Sequence, residues 1–334
     1  MRLLGRQRAP AAVVTVAIPV LNGGELLVQG LQAIARQVLA AEVEILVADS
    51  GSSDGSPERA REHGARVIEI PRSGFAHGRT RNLLLEEARG TRVALLSQDA
   101  EPLDELWLAH LLEGFEQGDD VALVYGPYIA RPGASPNVRR SLERWFGSID
   151  AGAERLAAGE RDIPAVELMG RRGFFSDANA CVSRAAWQRV RFREIAYAED
   201  RALALDMLRA GYAKVYEPRA GVLHSHDYGS LQRFQRAFDE WRGLAEVYGW
   251  REPASPRHLV AELRGELSAA RREGAGPLSL AGAAADRSLT LAGAVLGSRA
   301  RMLPDAVQRH CSLEGTAATA TSTPAIPDDR SETS

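Results

Sequence analysis

A mostly parallel, doubly wound α/β sheet with helices on both faces, followed by a helical C-terminal extension, is the fold this sequence predicts. Two observations predict the sheet. Short runs rich in Val, Ile and Leu alternate with segments of helical spacing from residue 13 to residue 125, the rhythm of βαβ units. The polar residues Asn22, Asp49 and Asp99 each fall just past one of the predicted strands. Ligands of open α/β sheets bind outside the carboxyl ends of the strands, so this edge is the predicted site. A third observation predicts the extension: beyond Trp250 the chain turns amphipathic and then rich in Ala, Gly and Leu.

Taken in order, residues 13–20 read as a buried strand. Residues 25–39 read as a helix with Leu26, Leu27, Leu31, Ile34 and Val38 on one side. Strands follow at 44–48, 66–70, 93–97 and 121–125, separated by helices at 56–63, 79–89 and 103–116. Gly64 and Gly90 supply two of the helix stops. Residues 127–175 break the rhythm with four prolines, a helix over 138–146 and a polar connection around 154–161. So long an excursion marks a functional segment. Regular structure returns with strands at 178–183, 214–216 and 221–224 and with helices at 200–210 and 231–247. Segments 258–272 and 278–302 are the helices of the extension. Residues 1–12 are expected to be flexible, and the Thr/Ser/Ala/Pro-rich stretch 314–334 to be disordered.

The chain has 334 residues and a formal net charge of −3, which argues against a nucleic-acid binder. Its basic residues are arginines apart from Lys214. Two cysteines without ligand spacing, Cys181 and Cys311, exclude a disulfide framework or a thiolate metal site and fit a reducing cytoplasm. The apolar run 9–21 contains Pro19 and lacks a small-residue cleavage site, so it reads as a first strand and not as a leader. No segment is long and apolar enough to predict a transmembrane helix.

Five constellations could carry chemistry. Asp49-Ser-Gly-Ser-Ser-Asp-Gly-Ser56 places a carboxylate, Ser52 and backbone N–H groups in a tight turn, suited to a base or a ribose. Ser97-Gln98-Asp99-Ala100 offers a carboxylate to a hard divalent cation that could bridge to a diphosphate. Glu199-Asp200 opens a helix, where Asp200 serves as a cap or as a general base. His224-Ser-His226 puts two imidazoles on one face of an extended segment. In Phe75-Ala-His-Gly-Arg-Thr-Arg-Asn82, the residues Arg81 and Asn82 can donate to phosphate or base. Each alone also fits an ordinary turn, cap or solvated face. Neither a P-loop nor a Gly-x-Gly-x-x-Gly signature is present.

The order of these segments, from Ile18-Pro-Val-Leu-Asn22 to His-Ser-His226, resembles the family 2 glycosyltransferases of the GT-A fold. Among them it is most similar to bacterial rhamnosyltransferase-type enzymes of cell-surface polysaccharide assembly. The likeness spans residues 13–245. It implies an inverting transfer from a nucleoside-diphosphate sugar, dTDP- or UDP-linked, to a hydroxyl of a glycan or lipid-linked acceptor. It further implies a catalytic domain over 13–250, with a nucleotide-binding half (13–126) and an acceptor-binding half (127–250), before the extension at 251–313. Pro19, Asn22, Asp49, Ser52, Arg81, Asn82, Gln98 and Asp99 would hold the donor. Asp200 would be the base, with Glu199 beside it. Asp99 with His226, or with His224, would bind Mg2+ or Mn2+. Asp177 and Asn179 would face the donor sugar or the acceptor. One position departs from the family pattern: Ser97 stands where the Asp-x-Asp metal motif has its first acid.

Two other readings are a sugar-nucleotide-binding scaffold without catalysis and a sugar nucleotidyltransferase. The arginines of the extension, among them Arg264, Arg271, Arg272, Arg299 and Arg301, make its helices candidates for a peripheral contact with the inner face of the cell membrane, or for a homodimer contact.

Overall fold

A computed structural model of the chain describes residues 13–314. The stretch 1–12 lies outside those residues, and so does the expected tail apart from Glu314.

The first half follows the predicted alternation: β1 (Val13–Val20), α1 (Gly24–Ala35), β2 (Glu42–Asp49), α2 (Ser56–Glu62), β3 (Arg66–Glu69), α3 (His77–Glu87), β4 (Arg92–Leu96), β5 (Glu101–Pro102), α4 (Trp107–Glu113) and β6 (Val121–Tyr125). The excursion holds β7 (Tyr128–Ile129), α5 (Pro136–Phe146) and β8 (Gly152–Glu154). Then come β9 (Asn179–Ser183), α6 (Arg184–Trp187), α7 (Glu199–Arg209), β10 (Ala213–Tyr216), β11 (Val222–Leu223) and the long α8 (Ser230–Tyr248). The extension is α9 (Pro256–Arg272), α10 (Pro277–Gly297) and α11 (Asp305–Cys311).

The main sheet has the order β3-β2-β1-β4-β9-β6-β10-β8. Strands β1 to β4 are mutually parallel, as are β6 and β10. β9 runs antiparallel to both β4 and β6, and β8 is an antiparallel edge strand. The sequence shows neither reversal. A buried strand reads the same in either direction, and β8 is only three residues long.

Alternation along the strands builds two cores. Val14, Val16, Ile18 and Val20 face α1 and α4 through Leu27, Leu31, Trp107 and Leu111. Ala17, Leu46, Val93 and Leu95 face α3, α6 and α7 through Leu84, Leu85, Trp187 and Leu203. A third cluster joins α7 to α8 through Leu205, Leu208, Leu244 and Val247. Fully burying a side chain of this kind contributes about 1.5–3 kcal/mol, so the sheet is a rigid platform for its carboxyl edge.

Several predicted bounds move, and the second extension helix ends at Gly297 instead of at 302. The helix expected over 25–39 ends at Ala35, leaving Val38 57% exposed, and the one expected over 103–116 begins at Trp107 because Glu101–Pro102 is drawn into a small second sheet. That sheet has the order β5-β11-β7. In the extension, α10 lies against α8 so closely that a Cβ on Gly297 would fall 2.2 Å from the Phe238 carbonyl oxygen. This face of α10 is therefore a packing surface within the chain. No helix among the described residues is long and apolar enough to cross a membrane.

Candidate active site

The turns after β1 and β2 lock together. Asn22 accepts from the Ser53 N–H (2.9 Å), and Ser52 Oγ accepts from the Asn22 N–H (2.8 Å). Asp54 and Ser56 take the N–H groups of Gly24 and Gly23. Asn22 and Ser52 thus build a shelf at the end of the strands. Pro19 precedes it in β1, opposite Ala48. On this shelf Asp49 accepts through Oδ2 from the N–H groups of Gly51 and Ser52, while its Oδ1 is buried without a hydrogen-bond partner. A buried acceptor left open in this way is a place for a ligand donor.

The small sheet makes the second part of the site. β11 pairs with β5 so that Leu223 faces Glu101, which carries His224 alongside the turn holding Asp99. His224 Nδ1 lies 3.4 Å from Asp99 Oδ1, and His226 Nε2 lies 3.3 Å from Asp99 Oδ2. One ligand atom from each residue falls within 4.8 Å of the others. Arg131 braces the turn, its Nη2 donating to the Asp99 carbonyl (2.6 Å) and its Nη1 pairing with Glu101 (3.3 Å). Burial pushes the Asp99 carboxyl up, but the two imidazoles outweigh it and hold the group at about 2. Burial, together with His224, lowers His226 and so favours the neutral ring, whose lone pair can bind a metal. His224 Nδ1 is buried and makes no hydrogen bond. An ionised carboxylate, a neutral imidazole and an open ring nitrogen fit a divalent cation.

The third part is a buried acidic group around Arg81. Its Nη2 donates to Asp177 Oδ1 (2.8 Å), its Nε also pairs with Asp177, and its Nη1 lies 3.0 Å from Glu199. Asp200 stands beside this group without an ion pair of its own among the described residues, its Oδ1 accepting from the Arg201 N–H. Burial chiefly, and then Glu199 against the opposing Arg201 and Arg81, raises the Asp200 carboxyl. The segment leading into α7 is strained: Ala198 has φ 64°, and the one other non-glycine residue with positive φ among the described residues is Asn22 (φ 51°). Such positions cost on the order of 1–3 kcal/mol and cluster at functional sites. The turn is seated by Gly243 of α8, where a Cβ would fall 2.7 Å from the Tyr197 carbonyl oxygen.

Several sequence-predicted site residues have other work. Arg81 and Asp177 are bound to each other in the interior. Glu199 is tied to Arg81, which leaves Asp200 as the free acid of the pair. Gln98 bonds both the N–H and the carbonyl of Leu21, holding the β1 and β4 ends together. Asn82 accepts from Trp187 Nε1 and the Phe192 N–H and donates to the Phe192 carbonyl. Asn179, fully buried, accepts from Trp107 Nε1 and donates to the carbonyls of Pro127 and Ala220. These amides have the polarity of ligand contacts but are engaged by the protein's own backbone and indole groups. Asn179→Ala is expected to destabilise the protein by about 1–3 kcal/mol through stranded polar groups, measured as a lower urea midpoint with unchanged nucleotide affinity. Conversely, Tyr228 was missed. It stacks on His226 (5.1 Å between centroids, 15°) and follows it by two residues, the same-face spacing already seen in His224 and His226.

The sheet order is that of the GT-A fold. The chain belongs to glycosyltransferase family 2: the family model "Glycosyl transferase family 2" matches residues 15–187. It is 30% identical over 235 residues to the O-antigen chain rhamnosyltransferase RfbN of Salmonella typhimurium, spanning 68% of this chain and 70% of that protein. It is 32% identical over 199 residues to the O-antigen chain rhamnosyltransferase WbaN of Salmonella anatum, spanning 59% and 61%. Among solved structures it is similar to a mannosyltransferase from Pyrobaculum calidifontis in complex with GDP-Man and Mn2+ (TM-score 0.55, 20% identity, 85% of this chain and 86% of that one). It is also similar to glucosyl-3-phosphoglycerate synthase from Mycobacterium tuberculosis with Mn2+, uridine diphosphate and glucosyl-3-phosphoglycerate (TM-score 0.50, 21% identity, 73% and 82%). The protein is a nucleotide-sugar glycosyltransferase, and the nucleotidyltransferase reading is set aside.

Proposed function

We propose that this enzyme transfers a rhamnose-type deoxyhexose, with inversion, from a dTDP- or UDP-linked donor to a hydroxyl of a glycan or lipid-linked acceptor in O-antigen or similar polysaccharide assembly. The single observation that carries the site assignment is the convergence of Asp99, His224 and His226 at the same sheet edge as the unpartnered Asp49 Oδ1. The two related rhamnosyltransferases support the sugar and the pathway class.

In this reading the Asp49 turn receives the nucleoside, with Asn22 and Ser52 shaping the shelf. Asp99, His224 and His226 would hold a divalent cation, which would neutralise the departing nucleoside diphosphate. Asp200 takes the proton from the attacking acceptor hydroxyl, and Arg81 keeps Glu199 and Asp177 from crowding it with free charge. No covalent sugar–enzyme intermediate is required, because the hydroxyl attacks the anomeric carbon opposite the leaving group.

The donor is tested by turnover of a panel of dTDP-, UDP- and GDP-linked sugars against lipid-linked acceptors. Binding of a donor without turnover on any acceptor would instead favour the scaffold reading. The metal is tested by chelation. Two imidazoles and one carboxylate suit Mn2+ better than the oxygen-seeking Mg2+. Activity is expected to vanish in EDTA and to return with Mn2+ at about a tenfold lower concentration than with Mg2+. Full turnover in EDTA would remove the metal assignment.

The extension is proposed as the surface that meets the membrane carrying the acceptor, through the arginine-rich parts not packed on α8. Release of the full chain from anionic vesicles by salt is the check.

A further inference from the structure

The last described residues do not trail away from the enzyme. Asp239 of α8, fully buried, accepts from Ser312 Oγ (2.7 Å), the Leu313 N–H (2.8 Å) and the Glu314 N–H (3.2 Å). This clamp turns Glu314 inward. Its carboxylate lies 3.8 Å from His77 Nε2 and 3.9 Å from Arg236 Nη1. Those distances are too long for hydrogen bonds, so the carboxylate sits in the field of two cationic or donor groups without being fastened to either. His77 Nε2 is buried and makes no hydrogen bond.

The place is continuous with the reaction centre. His77 Nδ1 lies 3.9 Å from Glu199, and its ring meets that of Tyr197 edge-on at 6.3 Å. Arg236 lies over the Tyr197 ring at 4.9 Å. Arg236 is among the charges that act on His226, whose Nε2 lies 3.3 Å from Asp99 and whose ring stacks on Tyr228. His77 chiefly, against burial, and then Arg236 and Arg242 hold the Glu314 carboxyl below its ordinary range, so it is an anion at neutral pH.

We propose that Arg236 and His77 form an anion subsite for the diphosphate of the donor, and that Glu314 fills this subsite as an intramolecular competitor until the donor displaces it. The inference rests on the nucleoside-diphosphate reading above and adds its regulation. A carboxylate and a phosphate make the same demands on a guanidinium and an imidazole. The clamp at Asp239 supplies the high local concentration that lets a loose contact compete. A strap seated about nine-tenths of the time raises the apparent Kd of a competing anion about tenfold.

The test is calorimetric titration of the full-length chain with inorganic pyrophosphate, UDP, dTDP and the nucleosides uridine and thymidine, with Mn2+ present. Glu314→Gln is expected to tighten pyrophosphate, UDP and dTDP by about 5- to 10-fold and to leave the nucleosides unchanged. Ser312→Ala, which removes one bond of the clamp but keeps Glu314 and the buried Asp239–Arg242 pair, is expected to act in the same direction. Arg236→Gln is expected to weaken the phosphorylated ligands and to abolish the effect of Glu314→Gln in the double variant. Pyrophosphate and nucleoside diphosphates that bind Glu314→Gln within twofold of wild type overturn the subsite and spare the donor reading. Tighter pyrophosphate with no nucleoside diphosphate binding supports the subsite and sinks the donor reading. An effect of Glu314→Gln that persists in the Arg236→Gln background also overturns the assignment.

Discussion

Asp200→Asn is expected to lower transfer by about 10²–10⁴-fold while leaving donor binding intact, because it removes the proposed general base and little else. The geometry favours this residue over its neighbour. Glu199 is buried and 3.0 Å from Arg81, whereas Asp200 has no such partner among the described residues. Its carboxyl is raised by burial and by Glu199. A base works only when deprotonated, so kcat should fall as pH drops through a value above the ordinary aspartate range, and this acid limb should disappear in the variant. The measurement is kcat and KM across pH with the preferred donor, beside nucleotide titrations of both proteins. Equal turnover by both would move the base elsewhere, and a loss of donor affinity without loss of kcat would recast Asp200 as a binding residue.

Arg81→Ala is expected to destabilise the fold by about 3–5 kcal/mol, the cost of stranding buried carboxylates. The side chains of Arg81, Asp177 and Glu199 are 8%, 5% and 7% exposed, so solvent cannot replace the guanidinium. Burial, opposed by Arg81, pushes the Asp177 carboxyl well above its ordinary value. A raised carboxyl is comfortable when protonated and costly when ionised. Stability from this group is therefore present below the unfolded carboxyl range and is lost as pH rises through the folded value. Removing Arg81 raises that folded value further, so the deficit of the variant should be largest near pH 8 and shrink toward pH 5. Urea unfolding across that range is the check. A small deficit with no pH dependence would mean that water enters and satisfies the acids. Activity alone cannot make this distinction, because Asp200 lies in the same group.

The elements of the first half other than β5 were legible in the sequence because most strands there are apolar runs closed by a turn residue. Val13–Val20 and Val121–Tyr125 fall where the pattern puts them. β9 was legible as a strand but not as a reversed one, since direction depends on how the excursion returns. The acids and imidazoles that the sequence singles out by type and order, Asp49, Asp99, His224 and His226, lie at one sheet edge. The partners of the amides were not legible: Asn82, Gln98 and Asn179 each bond backbone or indole groups, and those partners lie up to 110 residues away. The anchoring of Glu314 was invisible for a related reason. Glu314 opens a stretch poor in large apolar residues that reads as unbound, yet this one residue is held through its backbone N–H, a group that every sequence possesses.

The small sheet β5-β11-β7 has a consequence for how the enzyme matures. Asp99 and the two histidines are joined by strands of two residues each, drawn from three distant parts of the chain. No short peptide contains the ligand set, so it is completed only after the large sheet has closed. Contacts of such separation form late, because the loop entropy comes due before they return anything. Ion capture by the proposed ligand set would therefore report finished tertiary structure. An ion that prefers the native chain would also draw the folding equilibrium toward it in proportion to the logarithm of its free concentration.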